Sequence, residues 1–414
     1  MLRILYLLPA FLHPDWLMSG YLRHYHFLRE LARRHAITLL ALSKNKVAPE
    51  AEEKMSVYTE RILTFEAAGA SEPAASDKTA VPAKFGQDVK GTLQFHNAVR
   101  KMKRAFLQLV QEESYDLIIF HGRDIFPVIR DFNELPIVAD FGDATSMRIR
   151  QHMRYASGAT FPLHFVRYLR ARRIEKELLQ KTPHRAFISR RDREAVLGPV
   201  KDDSKVIPNG VDLGYWTRKT YNPLPNRIVY SGAMDYPPNA DGAFYLIQKI
   251  LPHVRRLISS IEVVIVGRDP SPALIKLAEQ YPNVTVTGVV DDVRPYLEEA
   301  TVYVGPLRFA SGIQNKLLEA LAMEVPVVTT PIAADGLRVE GGAQPPVLVA
   351  DGEKEFADAV VYLLRQTKDR SRLAAEGRHF VKNHFNWSHS AKMLEEMCLT
   401  AVSPSIAIKD EWKH

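Results

Sequence analysis

Short apolar runs alternate with amphipathic stretches along most of this chain, which is the pattern of an α/β protein. In the first half, the apolar runs predict strands at residues 2–8, 37–42, 117–120, 137–140 and 186–189. In the second half, they predict strands at residues 227–231, 262–266, 284–287, 302–304, 325–329 and 347–349. Helical periodicity separates the strands, as at residues 92–113, 239–258, 293–299 and 312–323. Each half therefore predicts a parallel, Rossmann-like sheet whose ligand lies beyond the carboxyl ends of the strands.

Turn residues mark the boundary between the two halves. Asn209 and Gly210 end the first half, and the stretch 221–225 continues the linker with two prolines. We therefore predict an N-terminal domain over residues 1–209 and a C-terminal domain over residues 222–387. Residues 67–86, rich in Ala, Ser, Pro and Lys, predict a mobile loop within the first domain.

Length and composition limit the class of protein. The 414 residues suffice for two domains with separate cores. The single cysteine, Cys398, excludes an internal disulfide and favours the cytosol. Pro9 interrupts the first apolar run, which we interpret as a buried strand rather than a signal peptide. With no cysteine cluster and no paired-histidine helix, the sequence predicts no structural zinc site.

The net charge of +7 is concentrated in one block. Residues 147–193 contain thirteen Lys/Arg and three Asp/Glu. Such a block attracts an anionic membrane surface or a phosphorylated acceptor, or it is a solvated helix face that includes Arg167, Arg170 and Arg173. No nucleic acid partner is predicted, because basic and aromatic residues do not interleave as in nucleic-acid-binding modules.

The stretch 306–330, Pro-Leu-Arg-Phe-Ala-Ser-Gly-Ile-Gln-Asn-Lys-Leu-Leu-Glu and onward, predicts a strand end, a turn, a helix and a second strand. The predicted helix begins at residues 311–313, where unpaired backbone N–H groups and the helix dipole favour an anion. Arg308 and Lys316 add two cations nearby. Glu319 shares a helix face with Lys316 and could accept hydrogen bonds from a pair of sugar hydroxyls. Together these groups predict a pocket for a nucleoside diphosphate.

On these residues the chain resembles the retaining glycosyltransferases of family four, and most of all the sugar transferases of bacterial exopolysaccharide assembly. Four further stretches carry the resemblance, at residues 206–212, 230–239, 264–268 and 286–293. It implies the GT-B fold, in which two Rossmann-like domains face each other across a cleft and a last helix, here 388–402, packs back onto the first domain. It also implies a hexosyltransferase that uses a UDP- or GDP-linked sugar and needs no metal or other cofactor.

The resemblance also implies the acceptor and the location. The acceptor would be a glycan or a saccharide linked to a polyprenyl diphosphate, used in cell-surface synthesis. The protein would be cytoplasmic or peripheral on the inner face of the cytoplasmic membrane.

The resemblance assigns a role to each matching residue. The donor or nucleotide would be bound by Gly20, Arg268, Val289, Ser311, Gly312, Ile313, Asn315 and Glu319. Within this set, Glu319 would hold the ribose, while Arg268 and Val289 would lie beside the nucleobase. Catalysis would depend on His121, which positions the donor sugar, and on Arg308 and Lys316, which stabilise the departing diphosphate.

Simpler structural roles are open for several of these residues. Gly20 could be a plain helix-entry glycine, and Val289 could pack in the core. Lys316 could be a surface lysine paired with Glu319 or Glu324. His121 follows a predicted strand and so faces the cleft, although a lone histidine is often structural.

Two residues of the first domain are candidates for acceptor or sugar binding. Arg23 could face the cleft or lie on the surface beside Arg33 and Arg34. Asp143 could orient a hydroxyl or cap the helix that follows it. Asp140 and Asp143 are spaced by three residues, which does not fit a DxD metal motif, so we predict no metal site.

The chain departs from the family pattern at two places. Ala233 and Asn239 stand where many members have basic residues that hold the diphosphate, and we expect Arg308 and Lys316 to replace them. Ser311 stands where the first glutamate of the E-x7-E signature is usual. These departures leave open a non-catalytic GT-B partner subunit. A second alternative is another enzyme of the GT-B fold, a nucleotide-sugar epimerase or hydrolase.

Overall fold

The first half of the chain forms one parallel sheet in this computed structural model, which describes residues 1–12, 22–43, 46–67, 85–154, 160–198, 202–339 and 341–403. Its strands are β1 (Arg3–Leu8), β2 (Ala36–Ser43), β3 (Arg61–Glu66), β4 (Leu117–His121), β5 (Ile137–Gly142), β6 (His184–Phe187) and β7 (Lys205–Val206). They lie in the order β3-β2-β1-β4-β5-β6-β7. Tyr6 at the centre of β1 is in register with Leu39 of β2 and Ile119 of β4.

The second half forms a second parallel sheet. Its strands are β8 (Arg227–Ser231), β9 (Glu262–Val266), β10 (Val284–Val286), β11 (Val302–Gly305), β12 (Val327–Thr329) and β13 (Leu348–Val349). They lie in the order β10-β9-β8-β11-β12-β13.

Helices connect the strands in both halves. In the first half they are α1 (Leu22–Leu31), α2 (Pro49–Ser56), α3 (Phe85–Glu112), α4 (Thr145–Met153), α5 (Phe161–Lys181) and α6 (Arg190–Leu197), with a 3₁₀ turn at Arg123–Val128. The second half begins with α7 (Pro237–Tyr245), which continues through a π turn (Leu246–Ile250) into α8 (Leu251–Leu257). The rest are α9 (Pro272–Ala278), α10 (Arg294–Glu298), α11 (Asn315–Ala322), α12 (Pro331–Asp335), α13 (Glu353–Arg365), α14 (Thr367–His384) and α15 (Trp387–Val402).

Each sheet has a point where the strand order reverses. In the first sheet β1 lies between β2 and β4, and in the second sheet β8 lies between β9 and β11. The loops after the two strands on either side of such a point diverge and leave a crevice at the carboxyl edge. The α/β class and the two Rossmann-like sheets agree with the prediction.

Strands buried on both faces were predicted best. β8 and β9 have the predicted bounds, because continuous apolar runs are typical of fully covered parallel strands. β3 was not predicted, since it lies at the sheet edge and only Phe65 in it is buried. The helix predicted at 92–113 begins earlier, at Phe85. Most of the predicted mobile loop lies outside the described residues.

Both faces of the first sheet are covered, which gives this half two apolar clusters. Along β1, Leu5 and Leu7 belong to one cluster, whereas Ile4, Tyr6 and Leu8 belong to the other. This alternation follows from the two-residue period of a strand. A third cluster surrounds the second sheet.

Helix α15 belongs to the core of the first half although it ends the described chain. Its buried residues Leu394, Met397 and Cys398 join the same cluster as Ile4 and Tyr6. The helix begins with an Asn386 cap, whose side chain accepts hydrogen bonds from the N–H groups of the first turn. The last helix thus ties the end of the second half to the first sheet. In the described part of the chain, no helix is both long enough and apolar enough to span a membrane.

Leu394→Ala tests the packing of α15. We expect the free energy of unfolding to fall by about 2–5 kcal/mol, because a fully buried leucine leaves a cavity that the neighbours fill only in part. Urea unfolding followed by tryptophan fluorescence measures the change. The matched control is Leu399→Ala on the same helix, where the side chain is 45% exposed and the change should stay within about 0.5 kcal/mol. Equal losses in both variants would contradict this packing.

Candidate functional site

The loop between β11 and α11 contacts the first half of the chain. Gly312 has a φ of +62°, a left-handed conformation that favours glycine. Its N–H lies 3.2 Å from both carboxylate oxygens of Asp192 on α6, and the Ser311 hydroxyl donates to the Asp143 carboxylate at 2.6 Å. Two carboxylates of the first half therefore occupy donors that were predicted to bind the ligand.

Helix α11 begins later than predicted. Its first residue is Asn315, not a residue within 311–313, because left-handed Gly312 and extended Gln314 precede the first helical turn. The amides at 311–313 therefore belong to the loop rather than to the helix N-terminus. The first turn starts with Asn315 and Lys316, and Ile313 is buried against the core of the second half.

The amino group of Lys316 reaches the loop that lacks basic residues of its own. It bonds to the Asn239 side-chain oxygen and lies 4.9 Å from the centre of the Tyr230 ring. It also lies 3.1 Å from the place where a Cβ on Gly232 would stand. Lys316 thus puts its charge beside the residues that replace the family's usual cations. This position differs from the surface ion pair with Glu319 or Glu324 that the sequence left open.

Glu319 lies one turn further along α11 and is 8% exposed. It lines a small cavity between the two halves with Asn315, His26, Asp212 and Trp387. Burial raises the pKa of its carboxyl to about 7, which nearby Lys316 only partly offsets. Burial likewise lowers the pKa of the Lys316 amino group to about 7, partly offset by Glu319. Keeping Glu319 and Lys316 charged at this buried position therefore costs folding free energy in the free protein.

Arg308 also contacts α7, at Asp241 and Tyr245. Its guanidinium makes two hydrogen bonds to the Asp241 carboxylate and lies 5.1 Å from the centre of the Tyr245 ring. Arg308 and Lys316 thus hold two residues of one helix, Asp241 and Asn239. The charge of Arg308 is balanced by a carboxylate, whereas Lys316 faces a neutral amide.

His121 is the last residue of β4, at the carboxyl edge of the first sheet. Its Nδ1 donates to the backbone carbonyl of Asp140 at 2.8 Å, because a carbonyl can only accept. Burial lowers the pKa of its imidazole, with the Asp140 carboxylate opposing the shift. A neutral ring with a proton on Nδ1 carries its lone pair on Nε2.

Arg23 is buried, so the surface alternative is wrong. Its Nε donates to Asp140 at 2.6 Å, and one Nη donates to the Ile207 carbonyl at 2.7 Å and to the Asn209 side chain at 3.3 Å. Asn209 in turn donates to the Asn315 side chain at 2.8 Å. Arg23 thus joins α1, β5 and the segment between the sheets, and acceptor binding by it stays a prediction.

His24 and Asp140, which are buried, and half-buried His121 have potential metal ligand atoms within 4.8 Å of one another. The Asp140 oxygens already accept from Arg23 and from the Gly142 N–H. This donor set suits a closed ion-pair network better than a metal.

Asp143 faces the cleft and does not cap α4. The cap position of α4 is Ala144, and no side chain bonds to the cap. The Asp143 carboxylate lies 3.5 Å from Arg148 and 3.8 Å from Arg123, and it accepts from Ser311. Burial opposes its ionisation, but these two arginines and the Ser311 hydroxyl keep its pKa below the usual value.

Asp192 and Arg191 were missed by sequence reasoning. The pattern Ser189-x-x-Asp192 predicts a helix cap, and Ser189 does cap α6. The Asp192 carboxylate also accepts from the Ala144 N–H at 2.9 Å and from Gly312 of the second half. Arg191 donates to the Ile332 carbonyl. Only the helix cap could be predicted from neighbouring residues, because the other contacts join residues more than forty positions apart in sequence.

The remaining predicted residues lie at the carboxyl edge of the second sheet or outside the described residues. Arg268 follows β9, is exposed, and pairs with Asp269 at 2.6 Å. Val289 is 76% exposed, so the core-packing alternative is wrong for it. Gly20 lies outside the described residues.

Comparison with known proteins identifies a matching family and a relative, both of them glycosyltransferases. Residues 225–366 match the family described as Glycosyl transferases group 1. The phosphatidyl-myo-inositol mannosyltransferase of Mycobacterium leprae is 25% identical over 326 residues, which are 76% of this chain and 80% of that protein.

Solved structures of similar fold cover nearly the whole chain. HepE of Anabaena in complex with UDP and glucose has a TM-score of 0.65 at 12% identity, covering 97% of this chain and 100% of that one. Sucrose-phosphate synthase from Thermosynechococcus elongatus has a TM-score of 0.69 at 17% identity, with the same coverage. These similarities show the GT-B fold with its two Rossmann-like domains. The family match and the mannosyltransferase relative support a glycosyltransferase.

Glu319→Gln tests how much the buried Glu319 carboxylate destabilises the folded protein. The folded protein binds a proton at Glu319 up to about pH 7, whereas the unfolded chain releases it near pH 4.5. The contribution of Glu319 to wild-type stability therefore falls as pH rises from about 4.5 to 7, and glutamine removes that loss. We expect Glu319→Gln to match the wild type near pH 4.5 and to exceed it by up to about 3 kcal/mol at pH 8.

Urea unfolding at the two pH values measures this difference. Glu355→Gln, at an exposed position on α13, is the matched control and should show no gain at pH 8. A variant of Glu319 that is equally or less stable at pH 8 would show that the carboxylate is well solvated or well paired.

Proposed function

We propose that this protein is a family-four enzyme of the hexosyltransferase type, which moves a sugar from a nucleotide-sugar to a hydroxyl group with retention of anomeric configuration. The observation that carries the proposal is the position of Lys316. Its amino group lies at the carboxyl edge of the second sheet, on Asn239 and beside Gly232. Glu319 lies one turn further along the same helix. A cation and a carboxylate at this separation suit a diphosphate and a ribose.

The relatives support a nucleotide-sugar donor and a lipid-linked acceptor. HepE binds UDP and glucose in its crystal structure, and UDP-glucose in another. The relative from Mycobacterium leprae is named for a phosphatidyl-myo-inositol acceptor. We therefore propose a UDP- or GDP-linked donor and an acceptor that is a glycan or a saccharide on a polyprenyl diphosphate. This role belongs to bacterial cell-surface or exopolysaccharide synthesis, on the cytoplasmic side of the membrane.

The proposed reaction exchanges one bond at the anomeric carbon. The bond from this carbon to the β-phosphate oxygen breaks as the acceptor oxygen bonds to the same face. The hydroxyl proton passes to an oxygen of the leaving diphosphate. Lys316 stabilises the negative charge on that diphosphate, and no metal is required. Arg308 contributes if the diphosphate displaces Asp241.

The remaining residues bind and position the donor. Glu319 accepts hydrogen bonds from the ribose, and Arg268 and Val289 lie beside the nucleobase. His121 positions the sugar, while Asp143 orients a hydroxyl from the opposite side of the cleft. The Gly312 N–H becomes available to the sugar when Asp192 withdraws, so binding includes a relative movement of the two domains, residues 1–209 and 222–387.

Lys316→Ala tests the proposed charge stabilisation. We expect sugar transfer to fall by about 100-fold or more, because the lost cation acts on charge that develops in the transition state. The measurement follows a radiolabelled sugar from UDP- and GDP-linked donors into a membrane extract that supplies lipid-linked acceptors. Lys276→Ala, an exposed lysine on α9, is the matched control and should keep full activity.

Calorimetric titration with UDP, GDP, ADP and TDP shows which nucleotide binds. Selective binding that Glu319→Ala weakens would support the ribose role and identify the base. Nucleotide binding with no transfer to any acceptor would favour the non-catalytic partner subunit. Release of a free, altered sugar without acceptor would favour the epimerase or hydrolase. Full transfer by Lys316→Ala would disprove the charge stabilisation.

A further inference from the structure

Helix α5 has one packed face and one unpartnered face. His164, Tyr168, Ala171, Glu175 and Leu178 recur at helical spacing and are the half-buried or buried residues on the packed face. The rest of the helix surface is exposed, and in the first half of the helix it carries large apolar side chains. They are Phe161, Leu163, Phe165, Val166 and Leu169, which are 44%, 52%, 44%, 63% and 50% exposed. No element in the described part of the chain covers them.

This concentration of exposed apolar side chains is unusual for the molecule. Sixteen large apolar residues are exposed among the described residues, and five of them fall within nine consecutive positions, 161–169. The other eleven are scattered along the chain, as exposed apolar residues usually are. Exposed apolar side chains concentrated in this way mark a surface that binds a partner.

Positive charge surrounds the patch. Residues 145–176 contain eight Lys/Arg and one acid, Glu175, which is buried. Arg170 follows Val166 by four positions and Arg173 follows Leu169 by four, so the apolar stripe continues as a basic one along the helix. Arg167 and Arg170 are exposed, and no carboxylate among the described residues pairs with either.

We propose that this face of α5, which we call the α5 surface (residues 161–173), binds an anionic lipid bilayer. Apolar side chains at one end of a helix with arginines beside them suit the boundary between acyl chains and anionic headgroups. A protein partner would have to be both apolar and acidic, and a second copy of this chain would bring arginines against arginines. Charge complementarity therefore favours the bilayer.

The α5 surface adjoins the cleft through α4, the helix before it. Gln151 of α4 accepts from the Ala310 N–H at 3.1 Å, and the His152 ring stacks on Phe309 at 5.2 Å. His152 also contacts His164 of α5, with ring centres 4.7 Å apart. A bilayer on the α5 surface thus lies beside the loop that carries Ser311 and Gly312. The inference deepens the proposed function and rests on it for the lipid-linked acceptor, although bilayer binding itself requires no catalysis.

Vesicle co-sedimentation of the full chain tests the proposal, without donor or acceptor. We expect binding to vesicles of mixed phosphatidylcholine and phosphatidylglycerol but not to phosphatidylcholine alone. The double variant Phe165→Ser with Val166→Ser should bind at least about tenfold more weakly, because two apolar side chains no longer enter the acyl region. Arg167→Gln with Arg170→Gln should lose about fivefold per arginine and most of the salt dependence.

Matched controls come from exposed positions of the second half. Leu257→Ser with Ile275→Ser removes two exposed apolar side chains, and Arg255→Gln with Arg256→Gln removes two exposed arginines. Both controls should bind vesicles like the wild type. Circular dichroism and thermal unfolding confirm that each variant is folded.

Three results would overturn the proposal. One is equal binding of the wild type to neutral and anionic vesicles, or to neither. Another is unchanged binding by both α5 variants. The third is a wild-type dimer in sedimentation velocity that Phe165→Ser with Val166→Ser dissociates, since a second copy would then cover the face. Vesicle binding without sugar transfer would support the α5 surface as a bilayer-binding site and refute the proposed function. Sugar transfer without vesicle binding would support the proposed function and refute bilayer binding by the α5 surface.

Discussion

The hydrogen bonds between the loop at 308–313 and the carboxyl edge of the first sheet set the geometry of the cleft. Two open sheets can share a ligand only when their carboxyl edges are held face to face. Here Asp143 accepts from Ser311, and Asp192 accepts from Gly312. In addition, Arg191 of the first half donates a hydrogen bond to the Ile332 carbonyl of the second half. Under the proposed function, a ligand between the two carboxyl edges would replace some of these bonds, and the same contacts would connect binding to domain movement.

The charges in the cleft are compensated in the free protein. Asp140 neutralises Arg23, Asp241 neutralises Arg308, and Arg148 and Arg123 flank Asp143. Lys316 and Glu319 differ, because burial shifts the pKa of both and each offsets the shift of the other only in part. Neither forms an ion pair within 4 Å with any other described residue. Buried ionisable groups whose pKa is strongly shifted are typical of ligand sites. This difference, more than the number of cations nearby, separates Lys316 from Arg308.

In the proposed reaction, the donor and the acceptor would be bound by different structural elements. The second sheet and α11 carry the groups suited to a nucleotide, while α4 and α5 lead from the first sheet to an apolar and basic exterior face. Helix α15 fastens the end of the second half onto the first sheet, so movement of one half against the other is limited by a packed core. A donor from solution and an acceptor from a membrane could therefore meet without sharing an entrance.

The sequence by itself determined the class of fold and the segments that carry the chemistry. β8 and β9 have their predicted bounds because a strand covered on both faces is a continuous apolar run, whatever its neighbours are. Lys316 and Glu319 could be placed on one helix face from their spacing alone. Tertiary structure decided which groups meet. The Lys316 amino group and Asn239 are 77 residues apart in sequence, Arg23 and Asp140 are 117 apart, and Asp192 and Gly312 are 120 apart. Such contacts depend on how two sheets and their loops are placed in space, and a local pattern of residues does not contain that information.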